Sequence, residues 1–257
     1  MINLLFFKAI KNRITFLCKL HYYFLYNMNK KEAYRHILPH FQRSGQTYFI
    51  TWDLQSAVPP KALARYSQGL ETLMSQIRFL EKQQPNSPEI DRIKLEYYSV
   101  RRQYIKAYDD LLDSYKNPKI NLAKPEYLEI NFESLQFWEG IRIRNIAFTI
   151  MPDHIHWVVK LLDKDNSGNP VYLQDLLQSV KRFSSNKINK AEKRSGVLWQ
   201  KESFDTIIRN EKHLFNAINY TLNNPVKAGL VSDWREWKGT WCCYSDPKSL
   251  TLGCSDF

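Results

Sequence analysis

Residues 142–161, RIRNIAFTIMPDHIHWVVKL, carry two runs of β-branched, aliphatic and aromatic residues on either side of Pro152-Asp153. Two such runs joined by a Pro-Asp turn read as a β-hairpin, Arg142–Met151 against His154–Leu161. An antiparallel sheet therefore lies at the centre of the fold, and an all-helical chain is excluded. Successive side chains of a strand point to opposite faces, so His154 and His156 share one face while Ile155 takes the other. Two imidazoles side by side on a rigid strand suit a divalent cation. On spacing alone, two polar residues on a wetted sheet face are the weightier reading. No Cys or third His lies near them in sequence, which argues against a closed structural zinc site.

Other elements assemble around this hairpin. Thr47–Leu54 (TYFITWDL) alternates like a strand. Pro125–Glu139 is predicted helical, with Leu128, Phe132, Leu135 and Trp138 on one side and Gly140 closing it. Tyr172–Glu192 is a basic helix that buries Leu173, Leu176, Leu177, Val180 and Phe183. Val197–Ile208 reads as a strand and Glu211–Leu222 as a helix that Pro225 stops. The order strand, helix, strand, strand, helix, strand, helix is the split β-α-β pattern of a ferredoxin-like antiparallel sheet, an α+β class with helices on one or both faces.

One region departs from that plan. After Pro59-Pro60, Leu63, Tyr66, Leu70, Leu73, Ile77 and Leu80 follow a 3,4 spacing, and Ile90, Ile93, Tyr97, Val100, Tyr104, Ala107 and Leu111 repeat it beyond QQPNSPE. Two heptad seams joined by a short loop predict an antiparallel helical hairpin, inserted at 59–116, with each helix covering the other's seam. Plain amphipathic helices lying on a core are the other reading of the same spacing.

Charge narrows the class of partner. The chain has 37 Lys and Arg against 26 Asp and Glu, a formal +11, so nucleic acid is the first expected partner and an anionic membrane the second. Residues 1–46 hold eight Lys or Arg against Glu32 alone, and 181–212 hold nine against four acids. Residues 1–27 are rich in Leu, Phe and Tyr, but Lys8, Lys11, Arg13 and Lys19 interrupt the run too often for a spanning helix. They do not match a signal peptide either. We read 1–27 as a non-native or poorly packed extension, with Met28 as the initiator, or as an amphipathic surface helix. Cys18, Cys242, Cys243 and Cys254 form no CxxC pair, which fits a reducing cytoplasm.

In LFNAINYTLNNPVKAGLV, Leu214, Phe215, Ile218 and Leu222 form an apolar stripe, and Asn216, Tyr220 and Asn224 a polar one roughly opposite. Tyr220 is thus not needed for its own helix's core. The third notable segment, LWQKESFDTIIRN, is by itself a strand with aromatic anchors.

Taken together, Met151–His156, Trp199–Asn210 and Tyr220–Val231 make the chain resemble the single-tyrosine HUH transposases, most closely the REP-associated tyrosine transposases. The resemblance runs from about Met28 to Val231, is weakest over the hairpin insertion, and leaves 232–257 as a C-terminal tail. It implies the HUH fold, Mg²⁺ or Mn²⁺ held by His154, His156 and Asn224, and Tyr220 as nucleophile. The implied reaction is cleavage and rejoining of single-stranded hairpin DNA through a 5′-phosphotyrosine. Lys181, Arg182, Lys187, Lys190, Lys201, Arg209 and Lys227 would meet the DNA backbone. No P-loop is present, so no nucleotide cofactor is expected, nor a membrane partner. The expected location is the bacterial cytoplasm, at the nucleoid, as monomer or homodimer. A hairpin-binding regulator that does not cut, and a two-histidine hydrolase without a covalent intermediate, are the competing readings.

Overall fold

The computed structural model describes residues 33–35, 39–59, 61–114 and 118–244. The expected extension 1–27, Met28, and residues 245–257 of the expected tail lie outside the described residues. The chain divides into two units, one within 1–42 and 65–103, the other within 43–64 and 104–257.

In the first unit the two heptad seams form helices α1 (Ala64–Gln83) and α2 (Pro88–Ser114). Pro88 opens α2 where a missing N–H breaks no helical bond, and Ser87 Oγ accepts from Glu89 N at 3.3 Å. Leu70, Leu73 and Ile77 of α1 and Ile90, Ile93 and Tyr97 of α2 are buried. Lys94 Nζ donates to Glu81 Oε1 across the pair at 2.8 Å. Each buried seam side chain contributes about 1.5–3 kcal/mol, so the seam outweighs the single half-exposed ion pair in holding the hairpin closed. A short antiparallel pairing of β1 (Ala33–Arg35) with β2 (Pro39–Phe41) belongs to the same unit.

The second unit contains the end of α2, and there the spacing changes. Tyr104, Tyr108 and Leu112 are buried, where an unbroken heptad would have buried Ala107 and Leu111. Four-residue steps hold one face of a straight helix on a fixed surface, whereas alternating 3,4 steps serve a supercoiled partner. The surface here is the sheet: Tyr108 packs its ring 4.4 Å from that of Phe204 and donates its hydroxyl to Asp53 Oδ1 at 2.7 Å.

That sheet has five antiparallel strands: β3 (Thr47–Asp53), β4 (Ile143–Ile150), β5 (His154–Leu161), β6 (Phe204–Ile207) and β7 (Thr240–Cys242), in the order β6-β3-β5-β4-β7. The expected α+β architecture is present, and its first four strands take the ferredoxin-like order. One face presents Ile50, Trp52, Phe148, Ile155 and Trp157 to α3 (Pro125–Gln136) and α4 (Leu173–Ala191). Phe132 of α3 meets Phe148 at 5.0 Å, and Trp199, whose Nε1 donates to Ser184 Oγ of α4, meets Trp52 at 6.2 Å. The opposite face carries Phe49, Thr51, Ala147, His156 and Val158 and is covered by α5 (Glu211–Lys227), whose Ala217, Ile218 and Leu222 join Ala147 and Val158 in one core cluster. No helix among the described residues is long and apolar enough to cross a membrane.

Three expectations need correction. The strand expected at 197–208 is regular only over Phe204–Ile207; earlier, Trp199 makes a lone bridge to Leu54 and turns its indole into the core. Pro225 does not stop α5, which continues to Lys227 and ends in a Schellman turn: Gly229 N donates to Val226 O and Leu230 N to Pro225 O, both at 2.9 Å, with Gly229 at φ 70°. Asn224 therefore keeps helical register with Tyr220. The segment from 232, expected as a tail, folds back as a capped turn at Trp234–Glu236 and as β7 on the edge of β4. Gly239 permits that approach, because a Cβ there would fall 2.5 Å from Ile150 O.

Candidate active site

Strand β5 is buried along both faces, and its two histidines lie on the α5 side at 1% exposure each. His154 Nε2 and His156 Nε2 face each other at 3.1 Å. Each ring is held from behind through Nδ1: His154 by Asp153 Oδ1 at 2.7 Å, His156 by Thr51 Oγ1 at 2.7 Å. Thr51 is the direct cross-strand neighbour of His156 on β3. Burial, then the charges of His154 and Lys227, keep the His156 imidazole well below its ordinary pKa, which favours the uncharged ring that a metal ligand needs.

Helix α5 brings Tyr220 onto the same corner. Its ring meets that of His156 at 5.1 Å and that of Phe49 at 5.6 Å, both edge-on. Lys227, two turns along, holds its ammonium 5.7 Å from the Tyr220 ring centre. Asn224, one turn from Tyr220, is 1% exposed, and neither its Oδ1 nor its Nδ2 has a hydrogen-bond partner. An unsatisfied buried amide costs about 1–3 kcal/mol. Such a side chain is suited to a ligand rather than to its own core. Among the described residues no three His, Cys, Asp or Glu side chains cluster as a metal site, so any cation here rests on two imidazoles and an amide.

These residues fit a divalent cation. Two nitrogens 3.1 Å apart are separated as neighbouring ligands on one ion are, given metal–nitrogen bonds of about 2.1 Å. The Nδ1 partners are the outer contacts that metal-bound histidines need, and the Asn224 oxygen is an unclaimed hard donor.

Beside His154, Asp53 is fully buried; it is pushed up to about 7 by burial, against the lowering effect of the Tyr108 hydrogen bond and the charge of His154. Sequence reasoning missed Thr51, Asp53 and Tyr108 because their roles depend on strand register and on where α2 docks. Only the alternation in TYFITWDL, which puts Thr51 and Asp53 on one face, hinted at the first two.

The basic residues separate into two groups. Arg182, Lys190, Lys201, Arg209 and Lys227 are exposed. Lys187 is paired with Glu133 at 2.9 Å and lies over Phe183. Lys181 donates its ammonium to Gln200 O at 3.1 Å and Glu202 O at 3.5 Å, and burial pulls it down to about 8, so it ties α4 to the segment before β6.

The chain is 28% identical over 109 residues to a Haemophilus influenzae protein named as a REP-associated tyrosine transposase, covering 40% of this chain and 60% of that one. It is 29% identical over 111 residues to an uncharacterized protein of the same organism, covering 35% of this chain and 62% of that one. It therefore spans less than two thirds of either relative. No protein-family model matches. A solved structure of a REP-associated tyrosine transposase bound to a REP hairpin overlaps 83% of this chain and 82% of its own at 15% identity and a TM-score of 0.38. The chain is thus similar in sequence to a protein named as a REP-associated tyrosine transposase, the family that its motifs resemble.

Proposed function

We propose that the protein cleaves and rejoins single-stranded hairpin DNA, with Tyr220 as the nucleophile and Mg²⁺ or Mn²⁺ held by His154, His156 and Asn224. The observation that carries this is the corner itself: the Tyr220 ring stacked edge-on against His156, whose Nε2 faces that of His154. The Tyr220 oxygen attacks a backbone phosphorus, a P–Oη bond forms, and the P–O3′ bond breaks. The 3′ oxygen leaves as a hydroxyl, taking up a proton in place of the one the phenol gives up. The reverse step, with another 3′-OH, rejoins a strand, so the phosphate ester energy is conserved and no ATP is needed. A bound cation would polarise the phosphate oxygen and stabilise the charge that develops on it. Phe49 and His156 fix the tyrosine ring, and Lys227 adds positive charge beside the attacked phosphate. Arg182, Lys190, Lys201 and Arg209 supply exposed charge for the DNA backbone, in the cytoplasm where chromosomal DNA is reached.

The test is incubation with end-labelled single-stranded hairpin oligonucleotides and Mn²⁺, followed by SDS electrophoresis. A covalent adduct that is lost in Tyr220→Phe is expected. Nicked DNA without adduct would favour a hydrolase, and bound but uncut DNA a regulator; either result overturns the proposal.

A further inference from the structure

Helices α4 and α5 end in the same kind of turn. In α5, Gly229 N donates to Val226 O and Leu230 N to Pro225 O, with Gly229 at φ 70°. In α4, Lys193 N donates to Lys190 O at 3.2 Å and Arg194 N to Asn189 O at 2.9 Å, with Lys193 at φ 50°. That turn favours glycine, because a Cβ at positive φ crowds the following carbonyl oxygen. Among the described residues, Lys193 is the only one other than glycine with such a φ. The chain keeps a lysine where glycine would be more stable.

Neither the helix dipole nor the turn itself explains that choice. A cation is favourable anywhere in the last turn of a helix, and Lys190 already stands there. Other groups brace the turn: Arg194 donates to Asn189 Oδ1 at 2.9 Å and to Val197 O at 3.2 Å, and Asn189 Nδ2 to Gly196 O at 2.8 Å. The adjacent acid, Glu192, is held by Lys124 at 3.1 Å and by the Tyr127 hydroxyl. Lys193 is exposed and, among the described residues, makes no hydrogen bond or ion pair. What is left is an ammonium presented to solvent on a braced turn.

Its surroundings select an extended anion. Arg182, Asn186 and Lys190 follow at four-residue steps on the exposed side of α4, and Lys193 continues their line. The stripe holds no acid. It runs about 16 Å at a rise of about 1.5 Å per residue. It begins near the candidate active site, because Lys181 feels the charge of Asp53, the cross-strand partner of His154. A row of exposed cations of that length, leading away from the site, fits a nucleic-acid backbone better than a small anion.

We propose that Lys193 is a DNA-binding residue that holds a backbone phosphate of the hairpin away from the scissile one, and that its strained position is kept for that contact. The proposal rests on the DNA reading given above.

Anisotropy of a fluorescein-labelled DNA hairpin in EDTA measures binding without cleavage, and thermal melting measures the strain. Lys193→Gly should melt about 2–4 °C above wild type. It should nevertheless bind about 8-fold more weakly at about 0.1 M salt and converge on wild type near about 1 M, a loss of about 0.9 from the salt slope. Lys193→Gln removes the charge and keeps the Cβ, so it should lose the same affinity at an unchanged melting temperature. Lys193→Arg should match wild type in both. A Lys193→Gly variant with wild-type affinity and salt slope overturns the contact, and one that melts no higher than wild type overturns the strain. Wild type that binds no hairpin DNA sinks the DNA reading and this proposal with it. Wild type that binds, beside an equally tight Lys193→Gly, sinks this proposal alone.

Discussion

Asn224 shows at the scale of one residue how a site can be recognised by what it costs. Its amide is buried on the α5 face next to the histidine pair, with both polar atoms unpartnered. Leucine has nearly the same shape and nothing to desolvate. Asn224→Leu should therefore raise stability by about 1 kcal/mol, read by urea unfolding without metal, while lowering Mn²⁺ affinity. A variant less stable than wild type would mean the amide is satisfied in solution and is not held ready for a ligand. Tyr220→Phe removes one oxygen from a half-buried ring whose contacts with Phe49 and His156 are edge-on ring contacts. Its melting temperature should stay near that of wild type, and its affinity for hairpin DNA should still fall steeply with salt, since phosphate contacts set that slope. Only the SDS-resistant adduct should vanish.

At the scale of the element, the end of α2 matters more than its sequence spacing suggests. Its Tyr108 donates its hydroxyl to Asp53 Oδ1, and the other carboxylate oxygen is buried without a partner. Tyr108→Phe should cost about 1–3 kcal/mol, the penalty for stripping a buried polar group of its donor. Asp53 also gives a pH signature. Its folded-state pKa is pushed up to about 7, above an unfolded value of about 3.9. The folded state then binds the extra proton. The stability this group contributes is full below the unfolded pKa and is lost as pH rises toward 7. Asp53→Asn cannot titrate, so the stability of wild type relative to Asp53→Asn should decline between about pH 4 and 7 in urea titrations. A difference flat in pH would show that Asp53 is ionised throughout.

For the whole molecule, the fold was legible wherever a local pattern carried it, and the site wherever one element did. The hairpin around Pro152-Asp153, the helix at 173–191 and the paired histidines follow from two-residue and 3.6-residue periods alone. Thr51 beside His156, Tyr108 on Asp53, and Lys181 turned toward the Gln200 and Glu202 carbonyls do not. Each joins residues at least 19 positions apart and depends on register or docking. The least legible piece was the segment after Val231, where TWC is too short and too mixed to announce a strand. Its place is set by partners instead: Thr240 Oγ1 lies 2.9 Å from Thr149 Oγ1, Trp241 stacks on Phe148 at 5.4 Å, and Trp237 Nε1 donates to Ile150 O at 2.9 Å. All three contacts cover the edge of β4, the strand that pairs directly with the histidine-bearing β5. Trp241 is half-buried, so Trp241→Ala should cost about 2 kcal/mol, near half the loss for a fully buried tryptophan. A chain ending at Val231 should do worse, because it leaves the β4 edge unpaired and its apolar Phe148 uncovered, a template for association. Sedimentation of that truncation should show aggregates or a molten monomer. A well-folded monomer that still binds Mn²⁺ would mean the last strand is dispensable to the sheet that carries the site.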